Sequence, residues 1–230
     1  LFPVPAPLTG KIERFTPLPF SDKPQYIDNS FIDDFEKEVL GLDWTFIRVP
    51  QKNTFSLKSK SGFLRLFSKP NKIEDRKRFS MIGFRQRESD FDYEVKMEYS
   101  PSDDKVESGI IHYQKERNYL TNTVYKIGKK FYLEQKLKEK NKNVISLKKV
   151  VLKNYKGNII FKMNSKKDRY DFYYSLNNGK NFNYYTTIDA IKMLDRNYTG
   201  ALLGIFSTSN SKKSNDYADY DWVRYKDYVR

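Results

Sequence analysis

Apolar and polar residues alternate with period two along much of this chain, most clearly over residues 91–99. There Phe91, Tyr93, Val95, Met97 and Tyr99 share one face, while Asp92, Glu94, Lys96 and Glu98 share the other. A period of two sends successive side chains to opposite faces of a strand, so this run predicts a half-buried β-strand. Residues 81–87 divide in the same way, with Met81, Gly83, Arg85 and Arg87 against Ile82, Phe84 and Gln86. Further strands are predicted at 43–47, 54–58, 62–67, 108–114, 120–127, 130–138, 144–151, 157–164, 170–175, 201–207 and 217–225. Residues 187–194 predict the one short helix. Turn chemistry separates the runs. Gly128 supports a tight reversal, and Asn178-Gly179 supports a hairpin because both residues tolerate positive φ. Many short strands with almost no helix predict an all-β fold, a two-sheet antiparallel β-sandwich. Prolines crowd the first 30 residues, which read as an extended arm or linker. Residues 31–230 read as one sandwich domain with no internal repeat.

Composition changes this picture in a few places. With 230 residues the chain can bury a substantial core without staples. It has no cysteine, which excludes disulfides and thiolate metal sites, and its single histidine, His112, argues against zinc. The apolar start is too short to be a signal peptide as it stands, and no stretch has the length of an apolar membrane span. Eighteen Tyr and 17 Phe suit strands, core packing and contact with the C–H faces of sugars. The formal net charge of +14 gives a field that attracts polyanions. Its lysines are spread rather than gathered in a recognition motif, which argues against nucleic acid as a partner and leaves an acidic glycan open.

Catalytic chemistry is poorly supported. His112 faces with Ile110 and reads as a satisfied, partly buried histidine. No Gly-x-Ser-x-Gly elbow or phosphate loop is present. Asp33, Asp34, Glu88, Asp90, Asp103, Asp104, Glu107 and Asp221 supply carboxylates, but none pairs with another on an apolar strand face as glycoside hydrolysis requires. No catalytic residue is assigned. Asp33 and Asp34 open the first strand and Asp219 and Asp221 lie in the last, which makes them candidate ligands for one structural Ca2+. The run Ser175-x-Asn177-x-Gly179-x-x-Phe182 is expected to close a hairpin through side-chain oxygens, with the ring beneath the turn. For sugar contact the candidates are Arg85, Arg87, Tyr113 and Tyr119, which combine fixed donors for hydroxyls or a uronic carboxylate with rings.

Several segments together resemble a known domain. They include Phe31-Ile32-Asp33-Asp34-Phe35, Leu42-Asp43-Trp44-Thr45-Phe46, Gly62-Phe63-Leu64-Arg65-Leu66, and Ile82-Gly83-Phe84-Arg85-Gln86-Arg87. Ser108 to Gln114 with Asn118-Tyr119, Tyr170 to Gly179, Tyr198-Thr199-Gly200-Ala201, and Ala218 to Tyr225 complete the set. In order and spacing they resemble the C-terminal concanavalin A-like sandwich of family 43 glycoside hydrolases of the β-xylosidase type. Phe84 and Arg87 depart from that family's Gly-Arg-Arg-Gln-Gln run. The resemblance implies a jelly roll that follows a five-bladed propeller holding the catalytic acids, supports it, and in some relatives binds xylan. It implies an extracellular or cell-surface setting and a polysaccharide partner, with residues 1–30 as the connector from the propeller. The leading expectation is a non-catalytic carbohydrate-binding or accessory module for xylan-type chains. The alternative is a structural domain that docks on the propeller.

Overall fold

The computed structural model describes residues 28–195 and 200–228. Its strands are β1 (Phe31–Asp33), β2 (Phe55–Ser56), β3 (Leu64–Phe67), β4 (Ser80–Arg85), β5 (Phe91–Glu98), β6 (Glu107–Lys115) and β7 (Asn118–Ile127). They continue as β8 (Lys130–Lys138), β9 (Ile145–Val151), β10 (Asn158–Lys166), β11 (Arg169–Ser175), β12 (Asn183–Asp189), β13 (Leu202–Thr208) and β14 (Tyr217–Asp227). The first sheet runs β12-β11-β10-β5-β14-β3-β2, with β1 also on β14; the second runs β4-β13-β6-β7-β8-β9. Every strand pair is antiparallel, and the two sheets form the expected sandwich.

The alternation in β5 is realised in space. Phe91, Tyr93, Val95 and Met97 are buried between the sheets, and Asp92, Glu94, Lys96 and Glu98 lie on the partly wet outer face. Opposite them the second sheet contributes Ile82, Phe84, Ile110, Leu120, Val124, Leu133, Leu203 and Ile205. The Tyr220 hydroxyl, on β14, lies 3.0 Å from the carbonyls of both Gly109 and Phe206, tying the first sheet to two strands of the second. β14 breaks its own alternation. A bulge between Tyr220 and Trp222 turns Asp221 and Trp222 outward together, so Tyr220 and Val223 both face the core.

The second sheet departs from a one-sided pattern. A smaller cluster of Ile73, Met81, Ile111, Tyr113, Tyr119 and Phe206 packs on its outer face, joined by Ile47, Phe79 and Leu202. The segment through the 3₁₀ turn Ile73–Asp75 roofs that half of the sheet, which explains why β6 is buried along most of its length.

Three expectations need correction. Residues 187–194 are not a helix: β12 runs through Asp189, and only a 3₁₀ turn, Ala190–Met193, follows. The β-branched Thr186, Thr187 and Ile188 favour the strand, which pairs with β11. Residues 43–47 make only an isolated bridge, in which the Thr45 N–H donates to the Gly83 carbonyl (2.7 Å) and the Gly83 N–H donates back (3.1 Å). His112 is fully buried rather than partly so, and neither ring nitrogen has a protein hydrogen-bond partner among the described residues.

The turn chemistry holds. Asn178 and Gly179 have φ of 56° and 80°. The Gly179 N–H donates to the Ser175 hydroxyl (3.0 Å) and the Asn181 N–H to the Asn177 side-chain oxygen (3.1 Å). Phe182 sits beside this turn but stays 37% exposed. Most of the expected arm, residues 1–27, lies outside the described residues, as do Tyr198 and Thr199. At the arm's end the Asn29 N–H and the Ser30 hydroxyl donate to Asp227, at 2.8 and 3.0 Å. Among the described residues no helix is long and apolar enough to cross a membrane.

Candidate functional site

Sheet register gathers three of the four expected sugar contacts into one row. Arg85 pairs with Leu202, Leu202 with Tyr113, and Tyr113 with Tyr119, so these side chains share the outer face of the second sheet. The row is nonetheless not an open platform. Tyr113 is 6% exposed and packs against Phe79 at 6.0 Å between ring centroids. Tyr119 is 3% exposed, and its hydroxyl donates to the Glu74 carboxylate. Burial pushes the Tyr113 phenol up to about 12 and raises the Tyr119 phenol further, with Glu74 adding to that rise. Arg85 is exposed at the sheet edge. Arg87 is engaged elsewhere: it donates to the Asn29 carbonyl (2.9 Å) and to Asp43, and lies 5.3 Å from the Phe31 ring centroid. It clamps the start of the domain instead of joining the row.

Beyond Tyr119 the roof ends and the outer face opens into a groove. Two adjoining cavities of about 240 and 360 Å³ share Lys72, Glu107, Lys136 and Asn210. β7 and β8 supply Tyr119, Thr121, Tyr125, Glu134 and Lys136 to their lining, with Thr121 opposite Lys136, while Thr123, opposite Glu134, is fully buried beneath. The Gly128 turn sets that register. Glu107 is the hub. It accepts from the Thr123 hydroxyl (2.7 Å), the Lys136 ammonium (2.8 Å) and the Asn210 amide (3.1 Å). Burial alone pulls the Lys136 ammonium down, but the Glu107 charge and hydrogen bond outweigh it, and the net shift is upward. Glu134 lies 3.8 Å from the same ammonium. Burial, reinforced by Glu134, raises the Tyr125 phenol. The Tyr125 and Tyr132 rings stack at 5.6 Å, with the Lys149 ammonium 5.2 and 4.5 Å from their centroids. Carboxylate acceptors, an ammonium, hydroxyls and ring edges on one concave face suit recognition of a polyhydroxylated ligand.

Of these groove residues only Tyr119 and Glu107 stand out in the sequence. The period-two set Tyr119, Thr121, Thr123 and Tyr125, read across the Gly128 turn onto Tyr132, Glu134 and Lys136, carries the signal for the rest.

The four aspartates do not fit a calcium site. Asp219 is held by two Arg65 nitrogens at 2.7 and 2.9 Å. Asp221 pairs with Lys96 at 2.7 Å. Asp33 accepts from the Trp44 indole (2.6 Å) and the Phe35 N–H (3.0 Å), and Asp34 caps the Glu36 N–H (3.3 Å). β1 meets β14 at Val223–Tyr225, past Asp219 and Asp221. Among the described residues no group of three or more acidic or histidine side chains could hold a metal. The Asp219 side chain is only 9% exposed, so losing its partner is costly. Arg65→Ala should destabilise the domain by about 2–3 kcal/mol, measured by urea unfolding, because a mostly buried carboxylate is left with little compensation. A loss near zero would show that Lys60, 4.0 Å away, takes over.

Comparison with known proteins agrees with this architecture. Residues 32–226 match the family described as beta xylosidase C-terminal concanavalin A-like domain. A non-reducing end α-L-arabinofuranosidase of Bacteroides ovatus is 26% identical over 197 residues, covering 84% of this chain and 36% of the relative. A xylosidase/arabinosidase of Butyrivibrio fibrisolvens is 27% identical over 198 residues, covering 82% and 36%. The solved structure of the Bacteroides ovatus xyloglucan PUL GH43B shares the fold, with a TM-score of 0.81 at 23% identity over 91% of this chain and 42% of that one. The chain thus spans about a third of the length of the curated relatives it matches. With the match running from β1 to β14, this chain belongs to the family of C-terminal concanavalin A-like domains of GH43 β-xylosidases.

Proposed function

We propose that this chain is a non-catalytic accessory module that holds plant cell-wall polysaccharide, xylan-type chains above all, in the groove over β7 and β8. The observation that carries this reading is the Glu107–Lys136–Thr123–Asn210 network, a fixed polar set on the face turned away from the sandwich core. Names of relatives that act as arabinofuranosidase and xylosidase/arabinosidase support the choice of sugar. Polysaccharide contact of this kind carries an extracellular or cell-surface setting with it.

A second reading has its own observation. Ile32, Val39, Leu42 and Val49 are all more than 60% exposed near the start of the domain. Exposed apolar side chains in one stretch favour docking against another domain, here a propeller glycosidase. Affinity electrophoresis separates the two. The domain should be retarded in xylan and arabinoxylan gels and less so in glucan. Lys136→Gln should weaken retention about tenfold, the effect of about one charged hydrogen bond. Unretarded migration in every gel would leave only the docking role.

A further inference from the structure

We propose that the lysine-rich end of the sandwich, onto which the groove opens, grips the carboxylates of a uronic-acid-bearing polysaccharide. This rests on the groove reading and specifies its ligand class. The turns and strand ends at 100–106, 126–131, 151–157 and 209–216 converge at that end. The Lys105 N–H donates to the Lys126 carbonyl (3.1 Å), and Asn210 donates to the Lys105 carbonyl (2.8 Å). The Ser214 hydroxyl donates to Asp103 (2.7 Å), and the Leu152 N–H to the Phe131 carbonyl (2.9 Å). Together these segments carry eight lysines, among them Lys105, Lys126, Lys129, Lys130 and Lys153, and none of the eight has a carboxylate partner among the described residues. The acids on these segments are satisfied by other groups. Asp216 accepts from Ser102 and the Asp103 N–H, Asp104 from the Gly128 N–H, and Asp103 from Ser214. Those three acids keep their negative charge and offset part of the field, but the lysines outnumber them eight to three, so this end stays cationic.

The groove reaches this end directly, since Lys105, Ile127 and Lys149 line the larger cavity. A chain lying over β7 and β8 therefore leaves the groove across the cationic segments. The chemistry favours an acidic glycan over nucleic acid. The four segments contain no arginine to fork onto phosphate, and their rings Phe131 and Tyr155 are at least half-buried against each other at 4.8 Å, which leaves no stacking platform for bases. Separate point charges on flexible stems instead match carboxylates spaced along a polymer.

The test compares the full chain with a Lys129→Gln/Lys130→Gln/Lys153→Gln variant, whose three sites are exposed and lie outside the groove lining. Each is titrated with glucuronoxylan, with the same polymer after reduction of its carboxyls to alcohols, and with a DNA duplex, at low salt. The unmodified chain should bind glucuronoxylan about tenfold tighter than the reduced polymer, as two or three exposed charge contacts would give. The variant should lose that difference while keeping its affinity for the reduced polymer. Equal affinity of the unmodified chain for both polymers, or a variant that keeps the difference, overturns this assignment and leaves the groove reading standing. Binding to neither polymer overturns both. Tighter binding to the duplex than to glucuronoxylan overturns it in favour of nucleic acid.

Discussion

Replacing Phe84 by alanine should destabilise the domain by about 3–5 kcal/mol, the range for deleting a fully buried aromatic ring. Phe84 sits on β4, at the edge of the second sheet, and its ring is fully buried. It meets four other rings edge-on: Phe31 at 4.7 Å, Tyr225 at 5.5 Å, Tyr93 at 5.6 Å and Trp44 at 5.7 Å. Those partners come from β1, β14, β5 and the loop that bridges to Gly83, so one side chain joins both sheets to the start of the domain. Edge-on ring pairs add stabilisation beyond the area they bury. Alanine leaves a cavity that four rigid rings cannot easily fill. Urea unfolding gives the magnitude, and buried Trp44 gives a local readout, because its emission should shift to the red when the cluster loosens. Phe84→Leu should cost less, about 1–1.5 kcal/mol. A loss below about 1 kcal/mol for the alanine variant would mean that the cluster collapses onto the gap or that its rings do not hold the sheets together.

His112 should make the domain sensitive to mild acid. Its imidazole is buried, with the Tyr170 ring edge-on at 5.1 Å. Burial holds its pKa at about 4, below the ordinary 6.5. In the unfolded chain the ring takes up a proton as pH falls through about 6.5, while the folded ring stays neutral until about 4. The unfolded state therefore binds more protons across that window. The stabilising contribution is complete above pH 6.5 and is lost as pH falls towards 4, by about 3 kcal/mol in all. His112→Leu removes the titrating group from a site of similar apolar character. The stability of the parent relative to this variant should fall by about 2–3 kcal/mol between pH 7 and pH 4. A constant difference across that range would show that the ring is not held neutral. Carboxylates present in both proteins cancel from the comparison.

How much of this was legible in the sequence depends on the range of the interaction concerned. Strand β5 was readable because its core and solvent faces follow from period two alone. The Gly128 and Asn178-Gly179 turns were readable because their backbone geometry is a property of those residues. From such signals the two-sheet sandwich follows, and the ordered motifs along the chain resemble the family that the comparison then matched over residues 32–226. The site was only half legible. Register alone aligns Arg85, Tyr113 and Tyr119, but the segment around Ile73 and Phe79 covers the two tyrosines. Nothing local in β6 or β7 announces that cover. Arg65 captures Asp219 across 154 positions of sequence, which removes an expected metal ligand. The groove likewise depends on Glu107, Lys136 and Asn210 arriving from three elements. Sequence by itself determined which residues alternate and where the chain turns, because neighbours along a strand impose both. Tertiary structure decided which face stays open and which charges meet, because distant segments supply the cover and the counter-ions.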